Sequence, residues 1–239
     1  MTTRRSLFAV PFVLAVATAA AAPAGAAPAA APSPKAYPPI EQYLMPRDAE
    51  IAMARSAAPP AISDRATVKV LTRTGYEIAK TGDNGAVCLV MRGFSAPTYT
   101  PAPFRDIVYD PGIHAPICFA APAARTALPY YEMRTRLAMA GKSPDQIAEG
   151  LQLAYVKGEL PVREGATFAY MFSAHQHLGP GIGAWRPHVM VFVPYADAST
   201  VGATTFGETL PQVTDAAGTP FAVVVIPVDE KQFITRPTN

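Results

Sequence analysis

The sequence predicts an α+β domain: a mainly antiparallel sheet with two to three helices inserted between the strand groups. Three observations carry this. Strand-like segments come first, helix patterns follow near the middle, and strands return afterwards, without the regular βαβ alternation of a parallel sheet. Residues 67–72 alternate Val68, Val70 and Thr72 against Thr67, Lys69 and Leu71, the period of a strand. Ser143-Pro144-Asp145-Gln146 reads as a capping box, in which the Ser143 oxygen accepts from the Gln146 amide and the Gln146 side chain reaches back.

Taken in order, residues 48–57 predict a short helix, with Asp48 as its cap, Ile51 and Ala54 on one face and Pro59-Pro60 as its stop. Strands follow over 67–72 and 76–80. Gly82-Asp83-Asn84-Gly85 offers the positive-φ positions of a turn, and 86–92 is apolar enough for a central strand. These three predict an antiparallel meander. Residues 95–116 are Pro-rich and irregular, and contain Tyr99, Phe104, Tyr109 and His114; they suit a packed surface loop or one wall of a pocket. A helix over 129–140 starts at Pro129 and stops at Gly141, with Tyr130, Met133 and Leu137 on one face. The capping box opens a second helix, whose stripe is Ile147, Leu151 and Ala154 and whose stop is Gly158. Strands are predicted over 166–175, 186–193 and 221–228.

The start of the chain reads differently. Arg4 and Arg5 precede an uncharged apolar stretch over 7–22, and Ala24-Gly25-Ala26 gives the small residues that a signal peptidase needs. Residues 1–27 are therefore expected to be a signal peptide, residues 28–39 an Ala/Pro-rich tether, and residues 40–239 a single domain. Thr3-Arg4-Arg5-Ser6-Leu7-Phe8 resembles the twin-arginine export motif; an ordinary basic leader is the other reading. The stretch over 7–22 is Ala-rich, interrupted by Pro11, and shorter than the ~20 residues of a spanning helix, so no stable membrane insertion is expected after cleavage. The expected location is periplasmic or secreted.

The chain has 20 basic and 18 acidic residues; without Arg4 and Arg5 the count is 18 of each. A neutral domain with scattered Lys and Arg lacks the concentrated positive charge that nucleic acid or an anionic membrane surface requires. Cys88 and Cys118 are the only cysteines, each in an apolar setting. In an oxidising compartment they can form a disulfide closing a loop of about 30 residues, worth roughly 3 kcal/mol. Two buried thiols are the alternative, and neither setting is basic enough for a reactive thiol.

One constellation carries chemistry. His175, His177 and His188 flank the glycine-rich stretch 178–185. Residues two apart on a strand share a face. A hairpin register that sets His175 opposite His188, His177 opposite Arg186 and Ser173 opposite Met190 would bring three imidazoles together, with opposed Cβ atoms ~5 Å apart. Such a set suits Zn²⁺ or Cu²⁺ with an open position. A one-residue slip turns His188 to the other face, and Arg186 opposes a bound cation. Without a metal, His188, His175 and Ser173 are the candidates for acid/base or nucleophilic work, although Ser173 and His175 lack a third orienting group. Gly179-Pro180-Gly181-Ile182-Gly183 has no Lys-Ser/Thr of a phosphate loop. The Asp106 and Asp110 pair reads as solvated or turn-forming, and the Phe168-Tyr170-Phe172 stripe as packing.

Several stretches carry a resemblance: Asp48-Ala49-Glu50-Ile51-Ala52 with Arg55-Ser56-Ala57-Ala58-Pro59, Asn84-Gly85-Ala86-Val87-Cys88-Leu89-Val90, Pro116-Ile117-Cys118-Phe119 and Pro187-His188-Val189-Met190. Together they resemble a group of exported bacterial proteins of unknown function. The resemblance implies a single exported domain and points to His188; it implies no reaction. Two functions follow as expectations: a module that binds a small molecule, a metal or another protein, and a histidine-dependent hydrolase, with or without metal.

Overall fold

A computed structural model of the chain describes residues 35–95, 104–162, 165–177, 186–203, 211–213 and 216–228, which fall within the unit Lys35–Asn239. The predicted signal peptide, most of the tether and the glycine-rich stretch lie outside the described residues. The fold is α+β, as the order of patterns requires. The helices are α1 (Arg47–Arg55), α2 (Pro60–Ser63), α3 (Ala121–Thr126), α4 (Leu128–Met139) and α5 (Pro144–Val156). The strands are β1 (Thr67–Thr72), β2 (Gly75–Lys80), β3 (Val87–Met91), β4 (Ala115–Phe119), β5 (Thr167–Met171), β6 (His188–Phe192), β7 (Gln212–Val213) and β8 (Val223–Pro227). They form one eight-stranded sheet in the order β2-β1-β3-β4-β5-β6-β8-β7. Every neighbouring pair is antiparallel except β1 and β3.

That parallel pair corrects the expected meander. After β2 the chain crosses to the far side of β1 before β3 begins. Residues 82–84 lie directly on 65–67: Asp83 N–H donates to Arg65 O at 2.9 Å and Gly82 N–H to Thr67 Oγ1 at 3.0 Å. A Cβ at Gly82 would stand 2.2 Å from Arg65 O, so only glycine admits this crossing. Gly85 supplies the positive φ, +73°, that turns the chain into β3.

The central strands are buried on both faces, so their side chains alternate between two apolar layers. Leu89, Met91, Ile117, Phe119, Ala169, Met171, Met190, Phe192, Val223 and Val225 join the core that includes Tyr131 and Ala138 of α4 and Ile147, Leu151 and Ala154 of α5. Cys88, Val90 and Cys118 turn the other way, onto Ala54, Ala57 and Ala58 at the end of α1. Val191, Val213 and Val224 form a third cluster with Ala196. Cys88 and Cys118 are register partners in β3 and β4, their Cα atoms 3.9 Å apart, and they are disulfide-bonded. Both are fully buried.

The capping box of α5 is present, with Gln146 N–H donating to Ser143 Oγ at 3.3 Å and Ser143 N–H to Gln146 Oε1 at 3.0 Å. Its stripe is the one expected. α4 is rotated from its expected face: Tyr130, Tyr131, Arg134, Thr135 and Ala138 are buried, whereas Met133 and Leu137 are only partly so. The guanidinium of Arg134 lies over the rings of Tyr130 and Tyr131, 5.2 and 5.8 Å from their centroids, which lets a charged residue face the core. Leu137 packs instead toward Gly150 of α5. α1 starts at Arg47 without a side-chain cap, and Asp48 sits inside its first turn, where a carboxylate complements the helix dipole. No described helix is long and apolar enough to cross a membrane.

Candidate functional site

The polar residues of interest collect at one rim of the sheet, where β3 and β5 end and β4 and β6 begin. Antiparallel pairing puts them there: Met91 opposes Ala115 and Met171 opposes His188. Arg92 follows β3, His114 precedes β4, Ser173 to His177 follow β5, and Arg186 precedes β6.

The predicted hairpin register is corrected at this rim. Met171, not His175, opposes His188, a displacement of four residues along β5. β5 ends at Met171, and residues 172–177 leave the ladder. His175 is exposed in a turn, so its expected place on a strand face beside His177 is lost. Among the described residues, no group of three His, Cys, Asp or Glu side chains is placed to hold a metal ion. The set His175, His177 and His188 is therefore not assembled as a metal centre.

His188 is 3% exposed. Its Nδ1 lies 2.7 Å from the backbone oxygen of Arg186. A carbonyl only accepts, so Nδ1 carries the hydrogen. Burial pushes the imidazole pKa down to about 4, against a smaller upward pull from the Arg186 carbonyl. His188 is thus a neutral imidazole of fixed tautomer at neutral pH. Gln176 reaches the same carbonyl: its Nε2 donates to Arg186 O at 3.4 Å and to Met171 O at 3.2 Å. The amide nitrogen must face these two oxygens, which orients the group. Gln176 Oε1 is then a buried acceptor with no hydrogen-bond partner among the described residues.

Ser173, also buried, has a different surrounding. Its Oγ accepts from the Ser56 hydroxyl at 2.7 Å and from the His175 N–H at 3.2 Å. No described imidazole ring is hydrogen-bonded to it. The arrangement ties the segment after β5 to the end of α1, where Phe172 N–H also donates to Ala57 O at 3.0 Å.

Two features escape a reading of the sequence. His114 and His177 form an isolated antiparallel bridge, each N–H donating to the other's carbonyl, at 3.0 and 2.8 Å. Arg92 and Glu50 form a fully buried ion pair at 2.9 Å. Arg92 Nε donates to Tyr43 O at 2.7 Å, and Glu50 Oε1 accepts from Leu71 N–H at 3.0 Å. Burial raises the Glu50 pKa, and Arg92 offsets part of the rise. This pair ties α1 to the ends of β1 and β3 at the rim. Its members are 42 positions apart in the sequence, and no local pattern links them. The alternation that marks Val90 as inward-facing would place Arg92 on the same face, the only available hint. Asp110 takes a turn-forming role, its Oδ1 accepting from Gly112 N–H at 2.8 Å, and Asp106 is paired with Lys35 at 2.8 Å.

A shallow depression lies on α5, lined by Ala148, Glu149, Gln152, Leu153 and Val156; none of the candidate residues borders it. Comparison with family models, with curated proteins and with solved structures gives no match. The rim's geometry is thus the ground for a functional reading.

Proposed function

We propose that the chain is an exported module that binds a small polar molecule bearing a hydrogen-bond donor, held at the rim by Gln176 and His188. The observation that carries this is their common anchor. Both side chains donate to Arg186 O, which leaves Gln176 with a buried acceptor oxygen that is unpartnered among the described residues. A buried acceptor without a donor costs about 1–3 kcal/mol, a cost that a ligand hydroxyl or amine would remove. His188 secures the same anchor: its Nδ1–H donates to Arg186 O at 2.7 Å, and its ring stays neutral at neutral pH. Export is part of the proposal. It is supported by the charged, apolar and small-residue order of residues 1–27 and by the buried disulfide, which suits an oxidising compartment. The hydrolase reading is the weaker one, because Ser173 Oγ meets Ser56 and a backbone N–H rather than an imidazole.

Thermal unfolding of the chain against a panel of primary amines and polyols tests the proposal. A ligand at about 100 times its Kd stabilises by about 2.7 kcal/mol, a rise in Tm of roughly 5–10 °C for a chain of this size. The rise should disappear in Gln176→Leu and in His188→Phe. A panel with no effect on the wild type, or an effect that survives both substitutions, overturns it.

A further inference from the structure

The fourth histidine brings out a second site. His114 and His177 are direct partners in an antiparallel bridge closed by two backbone hydrogen bonds. Directly opposed side chains leave the same face, with Cβ atoms about 5 Å apart. Two imidazole nitrogens bound to one Zn²⁺ at about 2 Å stand roughly 3 Å apart, which rotation about χ1 and χ2 reaches from that starting point. His177 is exposed and His114 half-buried, so an ion can approach from solvent and keep water in its remaining positions.

We propose that His114 and His177 form a two-imidazole site for a borderline divalent transition-metal ion, Zn²⁺ or Cu²⁺. The backbone bridge holds the two ligands without help from the metal, so little ordering is needed on binding. Imidazole nitrogen suits both ions, and the general order of affinities places Cu²⁺ above Zn²⁺. Arg92 acts on His114 and opposes a cation here, and its ion pair with Glu50 at 2.9 Å offsets part of that field. Asp110 lies near enough to His114 to act on its charge, and its carboxylate favours a bound cation. The site shares no side chain with the Gln176–His188 pair, and either can fail without the other.

The test is calorimetric titration of the chain, disulfide intact and freed of metal by chelator and dialysis, with ZnSO₄ and with CuCl₂. The expected result is one ion per chain, with a Kd of about 10 μM or tighter and Cu²⁺ the stronger. His114→Gln and His177→Gln keep the backbone bridge, and each should weaken binding at least about tenfold. His175→Ala, which alters an exposed ring outside the bridge, should bind as the wild type does. A measurement on the wild type alone covers the case in which a variant misfolds. Electron paramagnetic resonance of the one-to-one copper complex should show coupling to two imidazole nitrogens at pH 7. Binding undiminished in either glutamine variant, no saturable binding below about 100 μM, or a copper spectrum with a single imidazole nitrogen overturns the proposal.

Discussion

His188 shows how one buried side chain ties the proposed site to stability. Its pKa falls from 6.5 to about 4 because the charged ring would be cut off from water. The unfolded chain therefore binds a proton before the folded one does. The sign follows: above pH 6.5 the neutral ring costs nothing, and stability is lost as the pH falls from about 6.5 toward about 4. The span corresponds to about 3 kcal/mol. His188→Gln removes the titration and keeps a donor for Arg186 O. Urea unfolding at pH 7 and pH 4 should show the wild type losing about 3 kcal/mol more than the variant between the two. Equal losses would mean that the ring takes up its proton without leaving its place. The Glu50–Arg92 pair carries the opposite lesson. Both groups are fully buried, so Arg92→Met should cost about 3–5 kcal/mol by leaving Glu50 without its partner. The double change Glu50→Leu with Arg92→Met should cost less than the single one, because no charge then remains in the interior. A double variant as unstable as the sum of its singles would show no coupling between the two groups, and the single loss would then owe nothing to the stranded charge.

At the scale of the element, legibility followed the range of the interaction that fixes each feature. α5 could be read because its cap, its stripe and its stop lie within residues 143–158. β1 could be read from its own alternation. β4 could not: Ala115-Pro116-Ile117-Cys118-Phe119 is buried on both faces, so no polar residue marks a period, and a Pro-rich stretch leads into it. The hairpin of β5 and β6 was legible in kind and not in register. A slip of four residues leaves every side chain on its own face, so the hydrophobic pattern accepts Met171 opposite His188 as readily as His175. The His114–His177 bridge joins residues 63 positions apart, beyond any local signal. The crossing from β2 to β3 lies between these extremes. Gly82 and Gly85 announced a turn, but only the contact with residues 65–67 shows that it passes over β1. Gly82→Ala would place a Cβ 2.2 Å from Arg65 O and 2.4 Å from Thr67 N, both backbone atoms that cannot step aside. It should cost about 2 kcal/mol or more, whereas Gly165→Ala, with nothing within 4 Å of its added Cβ, should be close to neutral in the same denaturation experiment.

For the whole molecule, the disulfide occupies the middle of the structure and not its surface. Cys88 and Cys118 join two inner strands, with β1 and β2 on one side and β5, β6, β8 and β7 on the other. Both cysteines belong to the buried cluster of Ala54, Ala57, Val68 and Val90, and neither is exposed. Thiol–disulfide exchange needs a thiolate to reach a sulfur, so reduction of the native chain must wait for the sheet to open. Dithiothreitol alone should then release no thiols over the time in which the same reagent with denaturant releases both. Rapid reduction without denaturant would place the opening of β3 from β4 far below the global unfolding free energy. Cys88→Ala with Cys118→Ala removes the cross-link from the unfolded state as well. The loop it closes spans 30 residues, for which the chain-entropy argument gives about 3 kcal/mol and, for a chain of this size, a fall in Tm of roughly 6–12 °C. The two results separate two roles. A bond that resists reductant yet changes Tm little would act mainly by filling the layer between α1 and the sheet. A bond whose loss lowers Tm by the full amount works through the unfolded chain, and its benefit then requires oxidation before or during folding, as an exported protein would meet it.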